Sequence, residues 1–150
     1  MDIQRQQFLD NASQQAEIAP HIFPTMAACE AALESGYGTS GLAISDNNLF
    51  GMKQHKHPVY GTHILPTKEF EGGEWIVVNA QWVSYPDQAA CFTDRMATLQ
   101  RLAPQAGFEH YARALAATDA ATYIREVSAK WSTDPNRGAK VLAIHQSYVG

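Results

Sequence analysis

The stretch Ala31–Lys53, AALESGYGTSGLAISDNNLFGMK, places one carboxylate, Glu34, between an alanine-rich segment and a Gly-Tyr-Gly break. Pro24 suits the first turn of a helix, and small apolar residues follow it at helical spacing. Gly36 is the residue type that most readily adopts the left-handed conformation that ends a helix. The sequence therefore predicts a helix over 24–35 that ends beside an acidic side chain.

Three features separate Glu34 from an ordinary solvated glutamate, which is the alternative interpretation. The preceding residues, MAACEAAL, are mostly small and apolar, so we expect a central, buried helix. The C-terminal end of a helix is the negative end of its dipole. Glu30 lies one turn earlier, and neighbouring like charges resist ionisation. Together these features favour a neutral carboxyl, the form that a general acid requires.

The rest of the chain indicates further helices and one β-hairpin. Segments 63–71 and 74–85 are rich in β-branched and aromatic residues and flank Gly72 and Gly73, which is typical of a hairpin. Pro66 marks the first strand as an edge strand. The sequence thus predicts an α+β fold, with the hairpin separate from a mostly helical body. The other predicted elements are helices over 3–19, 87–103, 110–116, 119–131 and 139–149, and loops over 36–63 and 132–138.

Composition limits the possible partners. The chain has 150 residues, so we expect one domain covering 1–150. The net charge of −4 and the lack of a basic cluster argue against nucleic-acid binding. No apolar run approaches the roughly 20 residues of a membrane span. The polar N-terminus is no signal peptide, which leaves the export route open.

Cysteines and histidines offer two further candidate sites. Cys29 and Cys91 lie among alanines in apolar helical segments, which favours two buried thiols, although a disulfide stays open. His55, His57 and His63 suggest a metal site, because an H-x-H pair on a strand directs both imidazoles to one side. No carboxylate or cysteine nearby completes an obvious ligand set. We therefore expect no metal and no cofactor.

Five motifs together resemble one enzyme family. They are ALESGYGTSGLA, NNLFGMK, TKEFEGGE, AQWVSYPD and WSTDPNRGAKV, in that order and at approximately the family's spacing. In this the chain resembles the family 73 glycoside hydrolases, which are β-N-acetylglucosaminidases that cleave peptidoglycan. The resemblance covers residues from about 25 to 145. It implies a lysozyme-like fold with a glycan groove between the helical body and the hairpin.

The resemblance also implies catalytic residues. Glu34 matches the family's general acid, and Glu69 matches a second acid on the hairpin. Glu71 lies two residues further along the strand, on the same face, and stays open as the second acid. Such an acid can also be an exposed charge that protects an edge strand.

Substrate contacts follow from the same resemblance. Tyr37 stands where the family usually has Trp, and Trp131 stands where it usually has Tyr. If a tyrosine hydroxyl is needed, Tyr123 or Tyr148 could supply it. Asn48 can point to the site or close a turn on its own backbone, and Trp75, Trp82 and Trp131 can line the groove or the core. The predicted substrate contacts are Tyr37, Asn48, Phe50, Glu71, Tyr123 and Trp131.

The resemblance implies an endo-β-N-acetylglucosaminidase that hydrolyses the β-1,4 glycan of peptidoglycan on the cell wall, and we expect it to act as a monomer. Glu34 would protonate the leaving oxygen. Glu69 would activate a water, or it would stabilise charge while the substrate's 2-acetamido group attacks. An N-acetylmuramidase, a lytic transglycosylase and a non-catalytic glycan-binding module are the alternatives.

Overall fold

The computed structural model describes residues 1–55 and 59–150. These residues form seven α-helices and one two-stranded antiparallel sheet, which confirms the α+β class. The elements are α1 (Ile3–Ile18), α2 (Pro24–Ser35), α3 (Gly41–Asp46), β1 (Thr62–Glu71), β2 (Glu74–Val83), α4 (Gln88–Leu102), α5 (Glu109–Leu115), α6 (Ala120–Trp131) and α7 (Arg137–Val149).

Helix α2 is the central element that positions Glu34. It begins at Pro24 and ends at Gly36, which has a φ of 57° and donates its N–H to the carbonyl of Ala32. α1 and α7 both pack against α2. The residues from Met26 to Ala32 are all buried, and the small alanine side chains among them let the neighbouring helices approach closely. The predicted helix and its burial are confirmed.

Two predicted loops contain helix that the sequence analysis missed. α3 lies inside the 36–63 segment and is capped by Ser40, whose side chain accepts a hydrogen bond from the N–H of Ala43. α7 begins at Arg137, which we expected to lie in the preceding turn. Both errors have one cause: turn-forming residues such as Gly, Asn and Ser also begin and end short helices.

The hairpin has the predicted turn, and the body holds its base. Gly72 and Gly73 both have positive φ, as the tight turn requires. Val83 donates its N–H to the carbonyl of Met52 at 3.0 Å. The N–H of Gln54 donates to the carbonyl of Gln81 at 2.9 Å. These bonds extend the strand pairing into the loop beneath the hairpin.

Both cysteines are free and fully buried. Burial raises the pKa of the Cys29 thiol and of the Cys91 thiol to about 12 each. The interpretation as two buried thiols is confirmed. None of the helices in the described part of the chain is long and apolar enough to cross a membrane.

Candidate active site

A tight turn holds Glu34 at the end of α2. The hydroxyl of Ser35 donates to the carbonyl of Ala31 at 2.6 Å and accepts from the N–H of Gly38 at 2.9 Å. Tyr37 has a φ of 55°, which is rare for a residue with a side chain. The side chain of Glu34 keeps 29% of its surface accessible. The turn thus presents one acid at the surface from a buried helix.

Arg137 connects Glu34 to the buried core. Its Nε donates to Oε1 of Glu34 at 2.8 Å, and its Nη1 donates to the hydroxyl of Ser128 at 2.8 Å. Its Nη2 lies 2.9 Å from Oε2 of Glu30. The Arg137 side chain is only 2% exposed. One guanidinium group therefore joins two glutamates that lie one helical turn apart.

Glu30 has a second cationic partner, Arg95. Nη2 of Arg95 donates to Oε2 of Glu30 at 2.8 Å, and both side chains are completely buried. The Arg95 guanidinium lies 3.8 Å from the ring centroid of Trp131 and 4.5 Å from that of Phe50. Burial by itself would raise the pKa of Glu30, but the charges of Arg95 and Arg137 hold it below its ordinary value.

These contacts correct one part of the sequence analysis. Glu30 was expected to repel Glu34 as an uncompensated like charge, but two guanidinium groups neutralise it. Arg95 and Arg137 were missed because they come from α4 and α7. A signal did exist: a glutamate inside the apolar segment MAACEAAL needs a cationic partner if the helix is buried.

Tyr123 belongs to this buried network, and its assignment as a substrate contact stays a prediction. It is completely buried, and its hydroxyl donates to Oε1 of Glu30 at 3.3 Å. Nε2 of His21 lies 3.2 Å from the same hydroxyl, while Nδ1 of His21 accepts the N–H of Phe23. Burial lowers the pKa of His21 to about 4, so this histidine is neutral near neutral pH.

Asn48 and Phe50 are likewise supporting residues, 1% and 3% exposed. The amide nitrogen of Asn48 donates to the carbonyls of Met52 and Val83, and its oxygen accepts the N–H of Met52, each at 2.9 Å. Phe50 packs edge-on against Phe92. The structure thus gives both residues a supporting role between the loop and the body, and their assignment as substrate contacts stays a prediction.

Tyr37 and Trp131 are only partly buried, so their assignment as substrate contacts stays a prediction. The Arg5 guanidinium lies 4.8 Å from the ring centroid of Tyr37. Trp131 lines a cavity of about 890 Å³ beside the end of α6 and the start of α7. Tyr148 donates its hydroxyl to Asp10 at 2.6 Å, so this hydroxyl already has an acceptor on α1.

The two hairpin acids have different surroundings. The side chain of Glu69 is 39% exposed and lies 3.5 Å from Nζ of Lys53. That nitrogen also lies 5.1 Å from the ring centroid of Trp82. Glu71 is exposed at the end of β1, beside the turn. The choice between them as second acid stays a prediction.

The histidine-rich segment shows no metal ligands where it is described. His57 lies outside the described residues. Nδ1 of His63 lies 3.0 Å from the buried carboxylate of Asp46, which ties the start of β1 to α3. Among the described residues, no group of three or more His, Cys, Asp or Glu side chains could hold a metal ion.

A mostly helical body, a single hairpin lobe and a surface glutamate at the end of a buried helix together define a lysozyme-like glycoside hydrolase. The sequence profile of the glucosaminidase family, described as mannosyl-glycoprotein endo-beta-N-acetylglucosaminidase, matches residues 10–149. The chain therefore belongs to this family, and the resemblance to the family 73 glycoside hydrolases is confirmed.

Curated relatives are larger proteins. The chain is 29% identical to an autolysin of Enterococcus faecalis, over 87% of this chain and 18% of the autolysin. It is 32% identical to a probable N-acetylmuramidase of Lactococcus lactis, over 85% of this chain and 29% of that protein. It is 30% identical to the exo-glucosaminidase LytG of Bacillus subtilis, over 97% of this chain and 52% of LytG. The chain thus spans about half or less of each relative.

Solved structures confirm the fold. The catalytic domain of the autolysin Auto from Listeria monocytogenes superposes with a TM-score of 0.82 at 24% identity, covering 99% of this chain and 86% of that domain. The glycoside hydrolase domain of FlgJ from Salmonella typhimurium gives a TM-score of 0.73 at 26% identity, covering 95% of this chain and 96% of that domain.

Proposed function

We propose that this chain is a catalytic domain, covering 1–150, that hydrolyses β-1,4 glycosidic bonds in bacterial peptidoglycan as an endo-β-N-acetylglucosaminidase. Family membership and the autolysin and glucosaminidase names of its relatives support this substrate. The observation that carries the chemistry is the carboxyl of Glu34, which is partly exposed and held at one oxygen by Arg137. The place of action is the cell wall.

In the proposed reaction, Glu34 donates a proton to the glycosidic oxygen as the bond to the anomeric carbon breaks. A water, activated by Glu69, attacks the anomeric carbon. Inverting chemistry of this kind requires two carboxyl groups roughly 6.5–9.5 Å apart, with room for the water between them. In the alternative, the 2-acetamido group of the sugar attacks first, and Glu69 stabilises the charge that develops on it.

Sugar binding is assigned to side chains that are at least partly exposed. Tyr37 and Trp131 offer partly exposed aromatic faces, and Glu71 extends the acidic face of β1. Asn48 connects the loop to the hairpin from below the surface, because it bonds both Met52 and Val83. The protein would work as a monomer and without a cofactor.

Mass spectrometry of digested, purified peptidoglycan tests this proposal. We expect new reducing ends of N-acetylglucosamine. A Glu34→Gln variant should lower the rate by about 10²–10⁴-fold, the usual contribution of a general acid. The matched control is Glu17→Gln, since Glu17 is an exposed glutamate on α1, and it should keep full activity.

Other products would overturn the assignment in distinct ways. New reducing ends of N-acetylmuramic acid would identify a muramidase, which the likeness to the probable N-acetylmuramidase makes the second candidate. Anhydro-muramic ends would identify a lytic transglycosylase. Binding without any product would identify a glycan-binding module. A loss of only a few-fold in Glu34→Gln would remove Glu34 as the general acid.

A further inference from the structure

We infer that Arg137 positions the carboxyl of Glu34 for proton donation, and that buried Glu30 holds the Arg137 guanidinium in the place from which it does so. This inference rests on the proposed function, in which Glu34 is the general acid. It concerns two residues that do not touch the substrate. Arg137 and Glu30 would act only through Glu34.

The hydrogen bonds of Arg137 explain the positioning. Ser128 and Glu30 hold the guanidinium from α6 and α2, and the third contact, from Nε, reaches Oε1 of Glu34. Because Oε1 already accepts from Arg137, Oε2 is the oxygen that carries the acidic proton. A partly exposed glutamate would otherwise sample several rotamers, and a fixed one keeps its proton aimed in one direction.

The buried charges explain the need for Glu30. Oε2 of Glu30 lies 2.8 Å from Nη2 of Arg95 and 2.9 Å from Nη2 of Arg137, so one carboxylate is the counter-charge of two buried guanidinium groups. A guanidinium that is only 2% exposed depends on such a counter-charge. Without Glu30, Arg137 would lose the partner that holds it beneath the surface.

The same contact serves the later part of the reaction. When Glu34 has given its proton to the leaving oxygen, the Arg137 guanidinium stabilises the carboxylate that results. Without Arg137, the proton would be delivered from a less defined position.

This reasoning predicts a fall in kcat with little change in KM when either supporting residue is replaced. Arg137→Gln and Glu30→Gln should each lower kcat about tenfold or more, with KM within about twofold, because the general acid is displaced while the contacts to the sugar stay. The matched control, Arg113→Gln, changes an exposed arginine on α5 and should keep the kcat of the wild type.

Arg137→Lys separates position from charge and avoids the risk that a neutral variant fails to fold. Lysine keeps the positive charge but lacks the planar fork that reaches three partners at once. We expect kcat to fall about tenfold or more, with KM within about twofold. Wild-type kcat in Arg137→Lys would overturn the inference.

Thermal unfolding gives a readout that does not depend on turnover. If Arg137 and Glu34 interact as described, the Tm losses of Arg137→Gln and Glu34→Gln should not add in the double variant. Additive losses would overturn the inference even in an active enzyme. An inactive wild type with non-additive losses would instead refute the proposed function and leave the contact between the two residues established.

Discussion

Glu30→Gln should lower the free energy of unfolding by about 3–5 kcal/mol, because it breaks a buried ion pair by removing one partner. The carboxylate is 0% exposed and serves two guanidinium groups, Arg95 at 0% and Arg137 at 2% exposed. An amide has one acceptor oxygen, so it can accept from Arg95 or from Tyr123 but not from both, and it carries no charge. Arg95 would be left without a counter-charge, and Arg137 only with the partly exposed Glu34.

Thermal and urea denaturation measure this loss directly. For about 150 residues, each kcal/mol corresponds to roughly 2–4 °C, so Tm should fall by about 10 °C. Glu17→Gln is the control and should stay within about 0.5 kcal/mol. The pKa of Glu30 is depressed in the fold, so its contribution is present above its ordinary value of 4.5 and disappears as the pH falls below that value. The difference between variant and wild type should therefore shrink in acid.

A loss below about 1 kcal/mol would refute the reasoning, since the two arginines would then not depend on Glu30. A difference that stayed constant from neutral to strongly acidic pH would contradict the charge-based explanation and indicate a packing effect.

Three further predictions follow from burial and from the hairpin. Burial lowers the pKa of His21 from 6.5 to about 4, so between these two pH values the unfolded chain binds a proton that the native state does not. The free energy of unfolding should therefore fall by roughly 3 kcal/mol as the pH drops from 6.5 to 4, and Tm should fall with it. The variant His21→Gln should show a weaker pH dependence of Tm. The native thiols of Cys29 and Cys91 should resist a thiol reagent at mildly alkaline pH and react fully in guanidinium chloride, and fast labelling of the native protein would contradict their burial. An engineered disulfide that holds the hairpin away from the body should lower kcat about tenfold. Glu69→Gln should lower kcat by a similar factor, whereas Glu71→Gln should leave it unchanged. Loss of activity in Glu71→Gln and not in Glu69→Gln would make Glu71 the second acid.

Much of this architecture follows from local sequence. Pro24 and Gly36 mark the two ends of α2, and Gly72 and Gly73 mark the hairpin turn. Asp119 caps α6, and its side chain accepts the N–H of Thr122. These signals are readable because each depends on the backbone conformation of one residue and its near neighbours. The place of Glu34, at the end of a buried helix, follows from the same signals.

The surroundings of Glu34 depend on tertiary structure alone. Arg95 lies 65 residues from Glu30 along the chain, and Arg137 lies 103 residues from Glu34. Helical spacing predicts which face of α4 or α7 is buried, but not which residue of another helix that face meets. Asn48 shows the same limit. An asparagine in a glycine-rich loop can form hydrogen bonds with solvent, with substrate or with the backbone equally well. The hydrogen bond to the carbonyl of Val83 forms because the fold brings β2 next to this loop. Local sequence therefore determined most of the elements and the place of the acid, while the packing of distant helices decided which charged groups contact it.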